Sequence, residues 1–210
     1  MDASPPPVAP KGSAREKLLD AALGVIREKG YAPTSVEELC ARAGVTKGAF
    51  FHHFASKEAL GVAAAKHWSE RTGALFAAAP YHAHADPLDR VLGYVDFRKD
   101  LLAGGLAEFT CLVGTMIQET YGTHEDIRAA CAASIVGHAT TLVPDITEAM
   151  QRRGLRASWT AESLALHTQA VLQGAFIVAK AKGGAPAAAA SVDHLRRYIE
   201  LLFQSAPPTH

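Results

Sequence analysis

The pattern of apolar and polar positions between residues 34 and 60 predicts two short helices joined by a tight turn. Apolar residues recur at spacings of three and four from residue 36 to residue 43, which gives the first helix one narrow apolar face. Thr34 and Glu37 have the spacing of a capping box and are predicted to begin this helix. Gly44 follows the last apolar position, where a left-handed turn favours glycine.

The second of these helices is predicted to begin at Thr46, whose hydroxyl can cap it. Its first residues, 47–49, are basic or small. Phe50 and Phe54 lie four residues apart and are expected to anchor the helix to the core. Two short helices around a glycine turn, the second with an exposed and unbulky N-terminus, form a helix-turn-helix, the unit that enters the DNA major groove.

Helical patterns continue on both sides of this motif. Ser13 and Glu16 repeat the capping-box spacing, so a first helix is expected from Ser13 to Gly30. Ser56 is predicted to cap a fourth, alanine-rich helix that extends to about Ala79. The motif would therefore be joined to the rest of the chain by a rigid helix and not by a flexible linker.

The remaining chain predicts five further helices, and no strand-like alternation is sustained. Their expected spans are residues 86–103, 106–120, 123–154 with a kink or break near Leu142 caused by Pro144, 160–183 and 186–203. The fold class is all-α with about nine helices. The expected organisation is a disordered leader at residues 1–12, a DNA-binding domain at 13–55, a ligand-binding and dimerisation domain at 56–204 and a tail at 205–210.

Composition limits the classes of partner. The formal net charge is zero, so attraction to phosphate must come from local charge, and residues 11–57 carry eight Lys or Arg against five Asp or Glu. Three cysteines without close spacing favour reduced thiols in the cytoplasm over a disulfide framework. No apolar run reaches about 18 residues, and the first ten residues lack a signal-peptide pattern, so we expect no membrane partner.

Several short segments resemble the DNA-binding domain of the TetR (tetracycline-repressor) family. They are Gly30-Tyr31, Thr34-Ser35-Val36, the six residues 43–48 and the segments 52–54 and 56–60, and the resemblance covers roughly residues 13–62. The rest of the chain resembles the family only in its helix layout. The resemblance implies that the following residues face double-stranded DNA: Thr34, Ser35, Thr46, Lys47, Gly48, Ala49, Phe51, His52, His53 and Lys57.

These positions suit different contacts. Lys47 can donate to guanine O6 and N7, and Ala49 can touch a thymine methyl group. Lys57 lies at a helix N-terminus, where a phosphate is favoured. The family usually has tyrosine in place of Phe51, which cannot donate to a phosphate, so this contact is expected to be lost or replaced by His52 or His53.

The resemblance also implies a homodimer and an effector cavity. The last two helices would form a four-helix bundle with a partner's copies, although their apolar stripe also suits packing within one chain. The dimer candidates are Leu164, Val171, Ala175, Val178, Leu195, Ile199 and Leu202. Helices four to eight would enclose a mostly apolar or aromatic effector, with candidate lining residues Trp68, Tyr94, Phe97, Phe109, Met116, His138 and Trp159.

The function implied is a transcriptional regulator, most simply a repressor that a small molecule releases from a pseudo-palindromic operator. No enzymatic activity, cofactor or metal is expected. Four alternatives stay open: a thiol-redox-responsive regulator on the same scaffold, an all-α enzyme using Cys111 or Cys131, a metal site at His82, His84 and Asp86, and a nonspecific architectural DNA binder.

Overall fold

Helices form all the regular secondary structure in residues 12–204, the part of the chain that this computed structural model describes. The all-α prediction is confirmed. The predicted leader at 1–12, apart from Gly12, and the predicted tail at 205–210 lie outside the described residues. The helices are α1 Ala14–Lys29, α2 Val36–Ala43, α3 Lys47–His53, α4 Lys57–Ala77, α5 Pro87–Asp100, α6 Leu106–Phe109, α7 Leu112–Thr120, α8 Glu125–Thr140, α9 Val143–Arg152, α10 Ala161–Lys182 and α11 Ala185–Gln204, with a 3₁₀ turn at Pro80–Ala83.

Most of the predicted helix boundaries near the N-terminus are confirmed. Ser13 and Glu16 form a complete capping box at α1. The hydroxyl of Thr46 accepts the Ala49 N–H at 3.1 Å, and Ser56 caps α4 in the same way. Gly44 ends α2 with φ 65° and ψ 39°, the left-handed conformation that the turn between α2 and α3 requires.

The predicted capping box at Thr34 is wrong. Ser35 caps α2 instead, because its hydroxyl accepts the Glu38 N–H at 3.1 Å. Thr34 is only 2% exposed, and its hydroxyl donates to the Gly30 carbonyl at 2.6 Å. The hydroxyl of Thr34 therefore fixes the loop between α1 and α2, and the predicted contact of this side chain with DNA is not supported.

Two breaks turn the nine expected helices into eleven. The predicted helix at 106–120 is divided at Thr110 and Cys111, where the Cys111 sulfur accepts the Gly114 N–H and begins α7. The predicted break near Leu142 is confirmed and separates α8 from α9. Pro144 lies in the first turn of α9, where a missing backbone N–H costs least.

The DNA-binding helices share one core with the helices behind them. Leu18, Phe50 and Leu60 from α1, α3 and α4 belong to the same buried cluster as Met116 from α7 and Ile127 from α8. A second cluster lies between α5, α9, α10 and α11. Residues on both sides of the boundary predicted at residue 55 therefore pack in one hydrophobic core.

One stretch of the described residues, Glu125–Arg152, is long and apolar enough to cross a membrane by length and composition alone. It contains α8, α9 and the turn between them. Although only 22% of its most apolar window is buried, Ile127, Cys131 and Ala139 of α8 are fully buried against neighbouring helices. The stretch escaped the sequence prediction because small polar residues interrupt its apolar run; we interpret it as part of the helical scaffold.

The close approach of α4 to α8 at Gly61 provides a test of the shared core. A Cβ at Gly61 would lie 3.0 Å from Ile127 Cδ1 and 3.1 Å from Tyr31 Cε2, whereas a Cβ at Gly73 of the same helix meets nothing within 4 Å. Both alanine substitutions gain the same helix propensity, so their difference isolates the contact. We expect Gly61→Ala to be less stable than Gly73→Ala by about 1–3 kcal/mol in denaturant unfolding. Equal stability would show that the two cores are not tightly joined here.

Candidate DNA-binding surface and ligand cavity

The helix α3 presents its polar and small residues to solvent and its large apolar residues to the core. Phe50 is fully buried and Phe54 is 5% exposed, as predicted. On the opposite side Thr46, Lys47, Gly48 and the two residues 51–52 are exposed, while Ala49 and His53 are half-buried. Except for Thr34 and Lys57, the residues expected to face DNA therefore lie on an accessible surface. The contact of these accessible residues with DNA stays a prediction.

Lys47 is held by an ion pair within the motif. Its ammonium lies 2.5 Å from the carboxylate of Glu37 on α2. The pairing raises the pKa of Lys47 and lowers the pKa of Glu37. Both side chains are more than half exposed, so the pair adds little stability. Any base contact by Lys47 must share or replace this carboxylate.

Lys57 is a structural clamp. Its ammonium donates to the carbonyls of Tyr31, Ala32 and Thr34 at 3.0–3.2 Å and lies 4.4 Å from the centre of the Tyr31 ring. Burial lowers the pKa of Lys57. Because three carbonyls use its three donors, the predicted phosphate contact of Lys57 is not supported, and its role is to fix the loop before α2.

Aromatic rings cover the C-terminal half of α3. The Phe51 ring is half exposed and packs edge-on against Phe50 at 5.1 Å, and the His52 and His53 rings are 4.9 Å apart. Sequence reasoning missed Arg15 of α1, which is exposed and holds its guanidinium 5.6 Å from the Phe54 ring. Only the packing of α1 against α3 reveals this cation beside the motif.

A cavity of about 150 Å³, partly open to solvent, lies among α4, α5, α6, α8 and α10. A cavity of this size holds a ring the size of benzene. Three predicted lining residues, Trp68, Phe109 and His138, are part of its wall. Residues that sequence reasoning missed include Phe76, Arg98, Cys111, Gln169, Gln173 and Phe176.

The other four predicted ligand residues do not line this cavity. Tyr94 is fully buried behind His138, and Phe97 packs edge-on against Phe76 at 5.4 Å. Met116 is fully buried in the core shared with the DNA-binding helices. Trp159 packs against Phe203 and lines a separate groove beside the loop between α9 and α10. A helical period identifies an inward face but not which neighbour that face meets.

A buried polar chain supports the cavity wall. The amide Nε2 of Gln169 donates to the Tyr94 hydroxyl at 2.7 Å, and that hydroxyl lies 3.0 Å from His138 Nε2. Burial, with a smaller contribution from Arg98, lowers the pKa of His138 to about 4. The imidazole is therefore neutral at pH 7. Its Nε2 can accept the hydrogen of the Tyr94 hydroxyl, an arrangement that places the ring proton on Nδ1.

Arg98 is the permanent cation among the described residues of the cavity wall. Its guanidinium carbon lies 5.2 Å from the centre of the Phe76 ring and 5.6 Å from that of Phe176. The flat cation is thus held against aromatic faces. The sequence analysis did not single out Arg98, which α5 places in this wall.

The predicted dimer residues are divided between two surfaces. Leu164, Ala175, Leu195 and Ile199 are at most 3% exposed in the single chain, so burial inside the chain gives their assignment to a dimer interface no support. Val171 and Leu202 are half-buried, and Val178 is exposed. The exposed apolar residues that sequence reasoning missed on α10 and α11 are Leu166, Ile177, Tyr198 and Leu201. The stripe that is most regular in sequence is the one that packs internally.

The chemical alternatives at cysteine and histidine lose support from the geometry. Cys131 is fully buried, and burial raises its pKa to about 12, which is unfavourable for a nucleophile. His82 Nε2 lies 3.0 Å from the Phe76 carbonyl, and the Asp86 carboxylate binds Arg153. No group of three metal-ligating side chains occurs in residues 12–204.

The wall of the cavity also touches the DNA-binding helices. Arg27 of α1 donates to the carbonyl of Glu108 in α6 at 3.1 Å. The carboxylate of Glu119 in α7 accepts the Ala32 N–H, in the loop before α2, at 2.6 Å. A displacement of α6 or α7 would therefore change the contacts that hold α1 and the loop before α2, and with them the position of the helix-turn-helix.

Two family models match the chain. Residues 18–64 match the bacterial regulatory proteins of the tetR family, and residues 87–187 match the C-terminal domain of LmrA/YxaF-like transcriptional regulators. Together they cover the DNA-binding surface and most of the cavity wall.

Relatives agree with these models. The chain is 32% identical over 123 residues to the transcriptional regulator AcuR of Cereibacter sphaeroides, covering 58% of this chain and 56% of AcuR. The match thus spans about half the length of that relative. Two solved structures are similar over most of their length: the regulatory protein TetR from Rhodobacter sphaeroides (26% identity, TM-score 0.78, 88% of this chain and 98% of the other) and E. coli NemR in its reduced form (25%, 0.72, 88% and 96%).

The neutral state of His138 predicts a pH dependence of stability. The folded pKa of about 4 lies below the ordinary value of 6.5, so between these values the unfolded chain binds the extra proton. Stability should therefore fall as the pH falls from 6.5 to 4, by about 1–3 kcal/mol from this group. His138→Gln, whose amide oxygen can accept from Tyr94, should remove that part of the slope in urea unfolding, and the exposed-site control His52→Gln should keep it. An unchanged slope in His138→Gln would contradict the buried neutral imidazole.

Proposed function

Because the chain belongs to the TetR family of bacterial regulatory proteins, we propose that it is a cytoplasmic, homodimeric transcriptional regulator that binds a pseudo-palindromic operator and leaves it when a small molecule binds. The observation that carries this proposal is the accessible face of α3, with Lys47, Gly48 and Ala49 at the N-terminal end of a helix whose other side is buried. The matched relatives are named as regulators, and this chain's operator, effector and direction of control are part of the proposal.

Small side chains at the start of α3 support direct base contact. Gly48 and Ala49 allow the backbone to approach the major groove, and Lys47 brings a donor to guanine. The hydroxyl of Ser35 and the guanidinium of Arg15 are placed for phosphates on either side. Half of the lysines and arginines described in this domain are tied to carboxylates, among them Lys29 on Glu38 and Arg42 on Glu28, so we expect moderate affinity per protomer and a need for two.

A route from cavity to DNA supports ligand control. Phe109, Cys111 and Val113 line the cavity on α6 and at the start of α7, and the same two helices hold Arg27 and Ala32. A ligand that binds one position of this wall better than another shifts the population towards that position. In a dimer that shift changes the separation of the two α3 helices, which must match half-sites about 34–36 Å apart or a multiple of it.

The exposed apolar face of α10 and α11 supports dimerisation. Leu166, Ile177, Val178 and Tyr198 are 41–49% exposed in one protomer, a large amount for such side chains on neighbouring helices. The two helices pack against each other and can form a four-helix bundle with a two-fold related copy.

A thiol-responsive regulator remains a second candidate because of one residue. Cys111 is half-buried, caps α7 and lines the cavity, whereas Cys40 and Cys131 are buried and burial raises the pKa of both. The two candidates differ in whether release from DNA requires this sulfur. Peroxide-induced release that persists in Cys111→Ser would rule out sensing by this thiol.

The proposed base contact predicts opposite effects for the two members of the Lys47–Glu37 pair. After selection of the operator from random DNA at two salt concentrations, Lys47→Ala should weaken operator binding by about 1–3 kcal/mol. Glu37→Gln should leave binding unchanged or strengthen it, because it releases Lys47 and removes a negative charge near the phosphates. Fluorescence anisotropy with operator and random duplexes measures both.

The control is Arg156→Ala, an exposed cation on the loop between α9 and α10, which should change neither affinity. An equal loss on operator and random DNA for Lys47→Ala would favour a nonspecific architectural binder. No selected sequence at either salt concentration would refute the regulator itself.

The proposed dimer surface predicts that a charge introduced into it by substitution separates the two protomers. In a two-fold interface Leu166→Glu introduces two carboxylates, one from each protomer. The dissociation constant of the dimer should therefore rise at least about a hundredfold. Val136→Glu is the matched control, since Val136 is 50% exposed on α8 and Leu166 is 48% exposed on α10. Sedimentation equilibrium should give a dimer for the native chain and the control and a monomer for Leu166→Glu at micromolar concentration. A monomeric native chain would remove this part of the proposal.

A further inference from the structure

We infer that the cavity selects an anionic effector, a small carboxylate with a compact apolar or single-ring body, and that Arg98 is the residue that selects it. This inference rests on the proposed function and deepens it, because the residues expected from sequence suggested only an apolar or aromatic molecule. Its basis is the charge of the cavity and not its shape alone.

The guanidinium of Arg98 has no hydrogen-bond or ion-pair partner within the described part of the chain. No carboxylate lies within 4 Å of it, and it makes no hydrogen bond to any residue in 12–204. Other half-buried arginines are paired: Arg90 with Asp145 at 2.7 Å and Arg196 with Asp96 at 2.9 Å. Arg98 is half-buried in a cavity wall with five N–H donors unused.

No other group in the wall forms an ion pair with Arg98. The only carboxylate that lines the cavity, among the described residues, is that of Glu108, and it accepts the backbone N–H of Gly105. His138 is neutral, with its pKa lowered to about 4. The formal charges of Arg98 and Glu108 cancel over the whole wall, but the guanidinium of Arg98 is unpaired beside apolar rings, and an unpaired positive charge there disfavours a cation and favours an anion.

Unused polar groups accompany Arg98. The amide of Gln173 lines the cavity and makes no hydrogen bond to a described residue. His138 Nδ1, which is the ring donor when Nε2 accepts from Tyr94, makes no hydrogen bond within residues 12–204 and is not fully buried. A carboxylate has two oxygens and about four acceptor sites, which suits one guanidinium fork and one or two neutral donors.

The remaining wall sets the body of the ligand. Rings from Trp68, Phe76, Phe109 and Phe176 surround a volume of about 150 Å³. Two of these rings, Phe76 and Phe176, lie within 6 Å of the Arg98 guanidinium carbon, so the apolar wall and the charge are neighbours. This leaves space for a benzene-sized ring or a short chain beside the charge.

The test compares molecules that share a body and differ in charge: benzoate with benzamide, and butyrate with butyramide. Isothermal titration calorimetry at pH 7, in a buffer without carboxylates, is run on the native chain, Arg98→Gln, Arg98→Lys and the control Arg156→Gln, whose arginine is also unpaired but fully on the surface. We expect at least one carboxylate to bind the native chain and the control about tenfold or more tightly than its amide. Arg98→Gln should abolish this preference, and Arg98→Lys should keep part of it because it keeps the charge but loses the fork.

Three results would overturn the inference: amides that bind as well as their carboxylates in both pairs, a preference that survives in Arg98→Gln, or no binding of either carboxylate at up to about 10 mM. Thermal unfolding of each variant shows whether it is folded, and Arg98→Lys keeps the test valid if Arg98→Gln is not. Operator binding without any carboxylate is measured in parallel. Its absence would refute the proposed regulator, whereas a lost charge preference with intact operator binding would refute only the role of Arg98.

Discussion

The shared core between the helix-turn-helix and the helices behind it is the constraint on which the rest of the structure depends. Met116 of α7 and Ile127 of α8 fill the space between the DNA-binding helices, so these helices do not close a core of their own. At Gly61 the backbone of α4 approaches α8 so closely that an added methyl group would lie 3.0 Å from Ile127 Cδ1, which would have to shift. Packed interiors shift between discrete arrangements and deform little. A movement of α7 or α8 therefore also moves the DNA-binding surface on α3.

This constraint gives α6 and α7 two functions at once. One side of the pair lines the cavity through Phe109 and Cys111, and the other side binds α1 and its following loop through Glu108 and Glu119. The break at Thr110 and Cys111 makes the pair two short helices instead of one rod. The four-residue helix α6 buries only Phe109 and is easier to displace than a long helix packed along its length, so this element of the cavity wall is also the one best suited to shift.

The sequence predicted the features that depend on residues a few positions apart, such as helix caps and turns. It missed the features that depend on which helices pack against each other. Gly44, the caps at Ser13, Thr46 and Ser56, and the break before Pro144 each depend on residues a few positions apart, and the structure confirms them. The exposed side of α3 followed from the burial of Phe50.

The failures have a different cause. Lys57 was expected at a phosphate because it begins a helix, but the Tyr31 ring and three carbonyls from a loop 23 to 26 residues earlier surround it. Trp159 is as suitable for a ligand as Trp68 by residue type, and only the path of the chain places it at another groove. Leu164 and Ile199 form a regular apolar stripe because they pack inside the protomer, while the more irregular Leu166 and Tyr198 remain outside. In each case the deciding partner is distant in sequence, which a periodic pattern cannot identify.

The same limit applies to Arg98, because an arginine in a charged segment such as residues 96–100 has the pattern of a surface residue. Only the position of Phe76 and Phe176 on other helices turns its guanidinium into part of a cavity wall, so an apolar lining did not imply an uncharged ligand.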